Sequence, residues 1–120
     1  MNYKTEIVRI ESGARMSEAV VYGGKIYTAG VVADEAVGKS VFEQTKDILQ
    51  QIDNILTVVG SDKTKILKAN IWLADITKFQ DMNRAWDAWV VPGKTPARAT
   101  VEARLAAPEY AVEIMIEAAC

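Results

Sequence analysis

The sequence predicts an α+β domain in which two helices pack on one face of a β-sheet. Two segments carry apolar residues at helical spacing, and alternating apolar and polar residues mark strands before, between and after them. The predicted order is β-ββ-α-β-α-ββ, which corresponds to a two-layer arrangement. A chain of 120 residues has the length of about one domain, so we expect residues 1–120 to form a single domain.

The N-terminal third is predicted to contain three strands. Lys4–Ile10 alternates apolar and polar residues and would be the first strand. Ser17–Tyr22 and Lys25–Gly30 flank Gly23–Gly24, and a Gly-Gly pair between two alternating segments is typical of a tight hairpin. Val31–Lys39 shows no clear period, so we expect a loop there.

Both predicted helices have start and stop signals. Ser40 and Glu43 have capping-box spacing, and Gly60 would end the first helix. Asp75 can cap the second helix, which Pro92–Gly93 would end. Each helix has one buried side, formed by Phe42, Leu49, Ile52, Ile55, Leu56 and Val59 in the first and by Ile76, Phe79, Met82, Trp86, Trp89 and Val90 in the second.

Three further strands complete the sheet: Lys65–Ala74 between the helices, then Arg98–Arg104 and Ala111–Ala118. We expect the last two to pair as a hairpin. The face toward the helices would carry Leu67, Ala69, Ile71, Leu73, Val101, Val112, Ile114 and Ile116. The opposite face would carry Lys68, Asn70, Trp72, Arg98, Thr100, Glu102, Glu113, Met115 and Glu117. Because Trp72 and Met115 are large apolar residues among charges, this face favours a subunit interface over a plain solvated surface.

The composition is that of an ordinary globular protein, with 50% apolar and 25% charged residues. The formal net charge of −2, from 14 basic and 16 acidic residues, gives no field that would recruit nucleic acid or an anionic membrane.

Apolar runs are too short to span a membrane and the N-terminus is unlike a signal peptide, so we expect a cytoplasmic protein. One cysteine, Cys120, excludes an internal disulfide, and the lack of histidine excludes His-based triads and most zinc sites.

Arg98 and Glu113 are the first candidates for a functional site. On paired strands they would share a face, where the guanidinium could bind a carboxylate at two points and the glutamate could orient or deprotonate water. The same spacing also fits a cross-strand ion pair without function, worth about 0.2–1 kcal/mol. Gly30 could allow a ligand to approach the backbone or could serve a turn, and Asn83 could face a pocket or solvent.

Several motifs in the chain form a recognisable set. The most specific is PARATVEARL, from Pro96 to Leu105, followed by VEI, from Val112 to Ile114. The stretches YTAG, FEQTKDILQQIDNIL, ANIWLADITKF and MNRAWDAW extend the similarity over nearly the whole chain. The set resembles the reactive intermediate deaminase family, also called the Rid or YjgF-type family, and is nearest the branch with a tryptophan-rich second helix.

The resemblance implies a chorismate-mutase-like α+β fold with a mixed β-sheet. It also implies a homotrimer in which the sheets line a central barrel and a pocket lies at each subunit interface. The activity it implies is hydrolysis of enamines and imines derived from amino acids, which gives 2-keto acids and ammonia without a metal or an organic cofactor. The expected partners are therefore a small 2-imino or 2-keto acid and further copies of the chain, with no nucleic acid and no membrane.

The resemblance also assigns roles to individual residues. Arg98 would bind the substrate carboxylate and fix its orientation, and Glu113 would position the attacking water. Thr100 and Gly30 would contribute backbone contacts to the substrate. Asn83 stands where the family also has an asparagine and would belong to the substrate-binding residues.

The chain departs from the pattern of many family members at two places. Thr100 replaces a cysteine, and Arg15–Met16 stands near a Pro-Tyr pair whose tyrosine forms a wall of the pocket. Met16 would therefore change the preference for substrate side chains, and Arg15 adds a cation without an assigned role. Two alternatives to catalysis stay open, namely a binder of small carboxylates that uses Arg98 and a chaperone-like interaction protein that does not need it.

Overall fold

The computed structural model describes residues 2–120, which contain seven β-strands and two α-helices. In chain order they are β1 (Val8–Ser12), β2 (Ser17–Tyr22), β3 (Lys25–Thr28), β4 (Val31–Val32), α1 (Val41–Val58), β5 (Ile66–Leu73), α2 (Phe79–Trp89), β6 (Ala97–Glu102) and β7 (Val112–Ala119). The predicted α+β class, with two helices on one face of a mixed sheet, is confirmed.

The strands form one sheet in the order β1-β2-β3-β7-β5-β6, and β4 also pairs with β7. β6 runs parallel to β5, and the other pairings are antiparallel. The expected hairpin between the last two strands is wrong, because β5 lies between β6 and β7. The reason is α2: a helix after β5 returns the chain to the same end of the sheet, so the next strand enters parallel to β5.

The predicted start and end of α1 are confirmed. Ser40 Oγ accepts a hydrogen bond from Glu43 N at 3.1 Å, and Gly60 follows the helix with a φ of 72°, a conformation that suits glycine. Asp75 caps a short 3-10 turn, Ile76–Lys78, so α2 itself begins only at Phe79. Neither helix of residues 2–120 is long and apolar enough to cross a membrane.

Three elements in the N-terminal third differ from the prediction, one of them being β3, which ends at Thr28 and not at Gly30. The first strand is Val8–Ser12 instead of Lys4–Ile10, because the preceding residues form a turn in which Glu6 N donates to Asn2 O at 3.0 Å. Val31–Val32 forms a short strand against β7 within the segment expected to be a loop.

The core lies between the two helices and the face of the sheet toward them, called the helix face below. As predicted, β5 and β7 bury Ala69, Ile71, Leu73, Val112, Ile114 and Ile116 on this face. The prediction is wrong for Leu67 and Val101, which are 49% and 51% exposed. Leu67 lies at an irregularity in the pairing of β5 with β7, between Ile66 and Lys68.

The side chains of β6 face opposite to the prediction. Arg98 pairs with Ala69 and Thr100 pairs with Ile71, and directly paired residues point to the same side of a sheet. Arg98, Thr100 and Glu102 therefore lie on the helix face, and Val101 lies on the other face, called the open face below. A register shift of one residue moves every side chain of a strand across the sheet, so an error in the assumed pairing reverses the whole strand.

Candidate functional site

Arg98, at the start of β6, lies against α2. Its Nη1 donates to Asn83 Oδ1 at 2.8 Å. The guanidinium carbon is 5.2 Å from the ring centre of Trp86 and 5.6 Å from that of Phe79, both within the range of a cation–π contact. Burial lowers the pKa of Arg98 and the charge of Asp87 opposes that effect, but an arginine stays protonated at neutral pH.

The guanidinium of Arg98 keeps free hydrogen-bond donors. Nη1 is engaged by Asn83 and lies 3.9 Å from the sulfur of Met82, whereas Nε and Nη2 donate to no acceptor within residues 2–120. No ion pair joins Arg98 to Glu113 within the described residues 2–120, so the alternative of a cross-strand ion pair between them is not supported. A half-buried, oriented guanidinium with free donors is suited to binding a carboxylate.

Glu113, near the start of β7, lies on the open face. It pairs with Trp72 of β5 and with Val32 of β4. Its carboxylate occupies the space that a side chain at position 30 would need, since a Cβ added to Gly30 would overlap it. The φ of Gly30 is not in the left-handed region, so a glycine is required here for the close approach of Glu113 and not for a turn.

Thr100 follows Arg98 by two residues and shares its face of the sheet. Its Oγ1 is buried and has no hydrogen-bond partner among residues 2–120. An unpaired buried hydroxyl costs about 1–3 kcal/mol. Because this hydroxyl is buried, no group from outside the chain reaches it in the single chain, and the contacts that the resemblance implies for Thr100 are those of its backbone.

The structure separates the candidate residues into two groups. Arg98, Asn83 and Thr100 lie together on the helix face, at the edge of the sheet where α2 meets β6. Glu113 and Gly30 lie together at β7, with Glu113 on the open face. The expectation that Arg98 and Glu113 share a face within one chain is wrong, because β6 pairs with β5 in the register described above.

Met16 and Gly30 line one cavity of about 210 Å³. Met16 is 59% exposed, and α1 contributes Gln51 and Ile55 to the lining. Sequence inspection marks Ile55 only as a core residue, and a glutamine on a helix carries no functional signal by itself. Met16 therefore belongs with the Gly30 group of candidate residues.

Asp47 and Gln51 of α1 hold the segment that follows Gly30. Asp47 Oδ2 accepts from the backbone N–H groups of Asp34 and Ala36 at 2.8 and 2.9 Å. Gln51 Nε2 donates to Val32 O at 2.9 Å and to Asp47 Oδ1 at 3.1 Å. Burial would raise the pKa of Asp47, but these bonds together lower it below its ordinary value. α1 thus fixes the backbone beside Gly30 through charged and neutral hydrogen bonds.

Gln44 of α1 likewise fixes, through hydrogen bonds, the backbone segment that leads into β7. Its side chain is 1% exposed, and its Nε2 donates to Lys39 O and to Glu109 O, both at 3.0 Å. Its Oε1 accepts from Ala111 N at 2.9 Å. Because Ala111 directly precedes β7, this buried amide helps to set the position of Glu113.

Comparison with known proteins shows the relatives of this chain. Residues 6–120 match the family described as endoribonuclease L-PSP. The chain is 50% identical over 113 residues to the RutC family protein YoaB of Escherichia coli strain K12. The alignment covers 94% of this chain and 97% of that protein. It is 29% identical over 108 residues to the chloroplastic Reactive Intermediate Deaminase A of Arabidopsis thaliana, in an alignment that covers 82% of this chain and 57% of that protein.

Solved structures agree with the sequence comparison. NMB1025 of Neisseria meningitidis, a member of the YjgF protein family, superposes with a TM-score of 0.91 at 47% identity, over 95% of this chain and 94% of that chain. YyfA of Yersinia pestis, from the Rid protein family, superposes with a TM-score of 0.81 at 26% identity, over 91% of this chain and 90% of that chain. The resemblance inferred from the motifs is confirmed, and this chain belongs to the YjgF/Rid family.

Proposed function

We propose that this protein hydrolyses reactive imines and enamines derived from amino acids, which gives 2-keto acids and ammonia. The observation that carries the proposal is the half-buried guanidinium of Arg98, oriented by Asn83 and two aromatic rings with donors left free. Family membership supports it, since one relative bears the name Reactive Intermediate Deaminase A. The family description names a ribonuclease, but a net charge of −2 gives no basic field that would recruit RNA.

The proposed site lies between two copies of the chain in a homotrimer. Within one chain, Arg98 faces α2 and Glu113 faces the open side, so one chain does not present both groups to one small substrate. A second copy packed against the open face would bring its own Arg98 to the Glu113 of the first. Val101 and Met115, which are 51% and 36% exposed on the open face, support burial of that face by another copy.

The proposed reaction needs water activation and proton transfer, but no oxidant, metal or organic cofactor. Arg98 would hold the carboxylate of the 2-imino acid and so fix the C=N carbon. Glu113 would accept a proton from water while the water oxygen bonds to that carbon, which forms a carbinolamine. The nitrogen gains two protons in all, both from this water and relayed by Glu113, before the C–N bond breaks and ammonia leaves. An enamine would first take a proton on carbon and lose one from nitrogen, which gives the imine.

A trapping experiment tests the proposal. An amino-acid oxidase generates the imino acid in situ, semicarbazide captures it, and the semicarbazone is followed by absorbance. The wild-type protein should suppress the semicarbazone and release 2-keto acid, whereas folded Arg98→Ala should not. Absence of suppression with both small and bulky imino acids would overturn the proposed activity. Binding of 2-keto acids without suppression would instead identify a non-catalytic carboxylate binder.

A further inference from the structure

A second concave surface lies between the two helices and is lined by none of the candidate site residues described above. It has a volume of about 290 Å³, at the lower end of the range for small-molecule sites. Phe42 and Leu49 of α1 and Ala85, Ala88 and Trp89 of α2 supply its apolar lining. We call this surface the interhelix groove. The small side chains of the two alanines leave space between the two aromatic rings.

Cations surround the aromatic rings of the groove. Lys46 Nζ lies 5.5 Å from the ring centre of Phe42, and Lys63 Nζ lies 5.5 Å from that of Trp89. The guanidinium of Arg84 lies 4.0 Å from the centre of Phe42. Each end of the groove therefore has an aromatic ring with a basic group above it.

None of these three cations has a carboxylate within 4 Å in the part of the chain that the structure describes. Within residues 2–120 the one ion pair with atoms inside 4 Å joins Lys25 to Glu117, far from this groove in the sheet. Among the described residues, Asp53 supplies the carboxylate that lines the groove, and its Oδ2 accepts a hydrogen bond from Trp89 Nε1 at 3.1 Å. The groove thus combines an apolar lining with an excess of positive charge.

We propose that the interhelix groove binds a small aromatic monocarboxylate. A flat ring would lie over Ala85 and Ala88, between Phe42 and Trp89, where aromatic edges and faces attract one another. Its carboxylate would reach Lys46 or Lys63, whose ammonium groups are held near the groove by their cation–π contacts. A neutral aromatic ligand would lose the charge contact, and an aliphatic anion would lose the ring contacts. This site is independent of Arg98 and of the proposed deaminase activity.

Binding is tested by titrating the full chain, labelled with ¹⁵N, with 2-naphthoate. The indole N–H of Trp89 and the amides of Ala85 and Ala88 should shift and saturate, with a Kd in about the millimolar range or tighter. The matched neutral compound 2-naphthalenemethanol should bind at least about fivefold more weakly, because it cannot engage the lysines. Equal binding of the two compounds, or shifts without saturation, would overturn the proposal.

Variants locate the binding site. Lys46→Met and Lys63→Met should each weaken binding of 2-naphthoate by about threefold to tenfold, as expected for a partly exposed charge. Ala88→Phe, at an exposed position of α2, should fill the groove and abolish the shifts. Arg98→Ala should leave them unchanged. Loss of the shifts in Arg98→Ala, or an unchanged Kd in both lysine variants, would assign the compound to another site and refute the proposal.

Discussion

Arg98 Nη1 donates a hydrogen bond to Asn83 Oδ1 at 2.8 Å, which ties the edge strand β6 to α2 through the group proposed to bind substrate. The bond occupies one end of the guanidinium and leaves Nε and Nη2 without acceptors in residues 2–120. Arg98 supplies the charge, whereas Asn83 sets the orientation. The two residues should therefore respond differently to substitution.

Replacement of Arg98 should remove most of the proposed activity. Arg98→Ala is expected to lower kcat/KM for 2-imino acids by about 100-fold, because it removes a two-point charged contact. Arg98→Lys keeps the charge but not the planar fork, so a loss of about tenfold is expected. The semicarbazide assay measures both values, and circular dichroism checks that each variant is folded. Wild-type rates in Arg98→Ala would contradict the proposed role.

Replacement of Asn83 should act on binding more than on chemistry. In Asn83→Ala we expect KM to rise about fivefold, because the guanidinium loses its fixed orientation, while kcat changes little. Asn83→Asp is the informative partner variant, since a carboxylate 2.8 Å from Nη1 would neutralise Arg98 and compete with the substrate. It should lower kcat/KM further than Asn83→Ala does. If Asn83→Asp proved as active as wild type, the positioning role would be excluded.

A side chain at position 30 should displace the Glu113 carboxylate. A Cβ on Gly30 would overlap that carboxylate, so Gly30→Ala should lower kcat by at least about tenfold through misplacement of Glu113. Gly13→Ala is the matched control, because its Cβ would meet only Met16 O at an ordinary contact distance of 3.4 Å. Full activity in Gly30→Ala would show that Glu113 does not need its observed position.

Charge on the open face should prevent the proposed assembly. Met115 lies between Glu113 and Glu117 on the same face of β7, so Met115→Glu would place three carboxylates in an interface between copies. Light scattering should show a change from about three times 13.2 kDa to the single-chain mass of 13.2 kDa. Val58→Glu, at a 63% exposed position of α1, should leave the mass of the assembly unchanged. A single-chain mass for the wild type would refute the trimer.

Asp47 should make stability depend on pH in the acidic range. Hydrogen bonds to its carboxylate outweigh burial and lower its pKa below the model-peptide value of 3.8. A lowered folded-state pKa gives stability that is present above the unfolded pKa and is lost as pH falls through the folded pKa. Asp47→Asn should therefore lower the free energy of unfolding by about 1 kcal/mol at pH 7, with solvent screening considered. Urea unfolding from pH 7 to pH 3 should show this difference shrink below about pH 4. A difference that is constant over this range would contradict the assignment.

Local patterns were sufficient for most of the fold. The Ser40–Glu43 cap, the Gly23–Gly24 hairpin and the alternation in β5 and β7 each depend on neighbouring residues, and each is observed in the structure. The cap of α2 is displaced into a 3-10 turn, because Asp75 precedes three residues that adopt a tighter helix before Phe79. A strand of two residues, such as Val31–Val32, is too short to show a period.

By itself, the sequence determined the order of the elements apart from β4, most of the buried face of the central strands, and the family. Hydrophobic period, turn chemistry and motifs are readable from residues near one another in the chain. Only the tertiary structure decided the face that Arg98 occupies. The crossover through α2 makes β6 a parallel neighbour of β5, and its register with Ala69 and Ile71 directs Arg98 and Thr100 toward the helices. No local pattern specifies that register, since it depends on how a helix packs across the sheet. The same packing sets Arg98 apart from Glu113, which is why the proposed site requires a second copy of the chain.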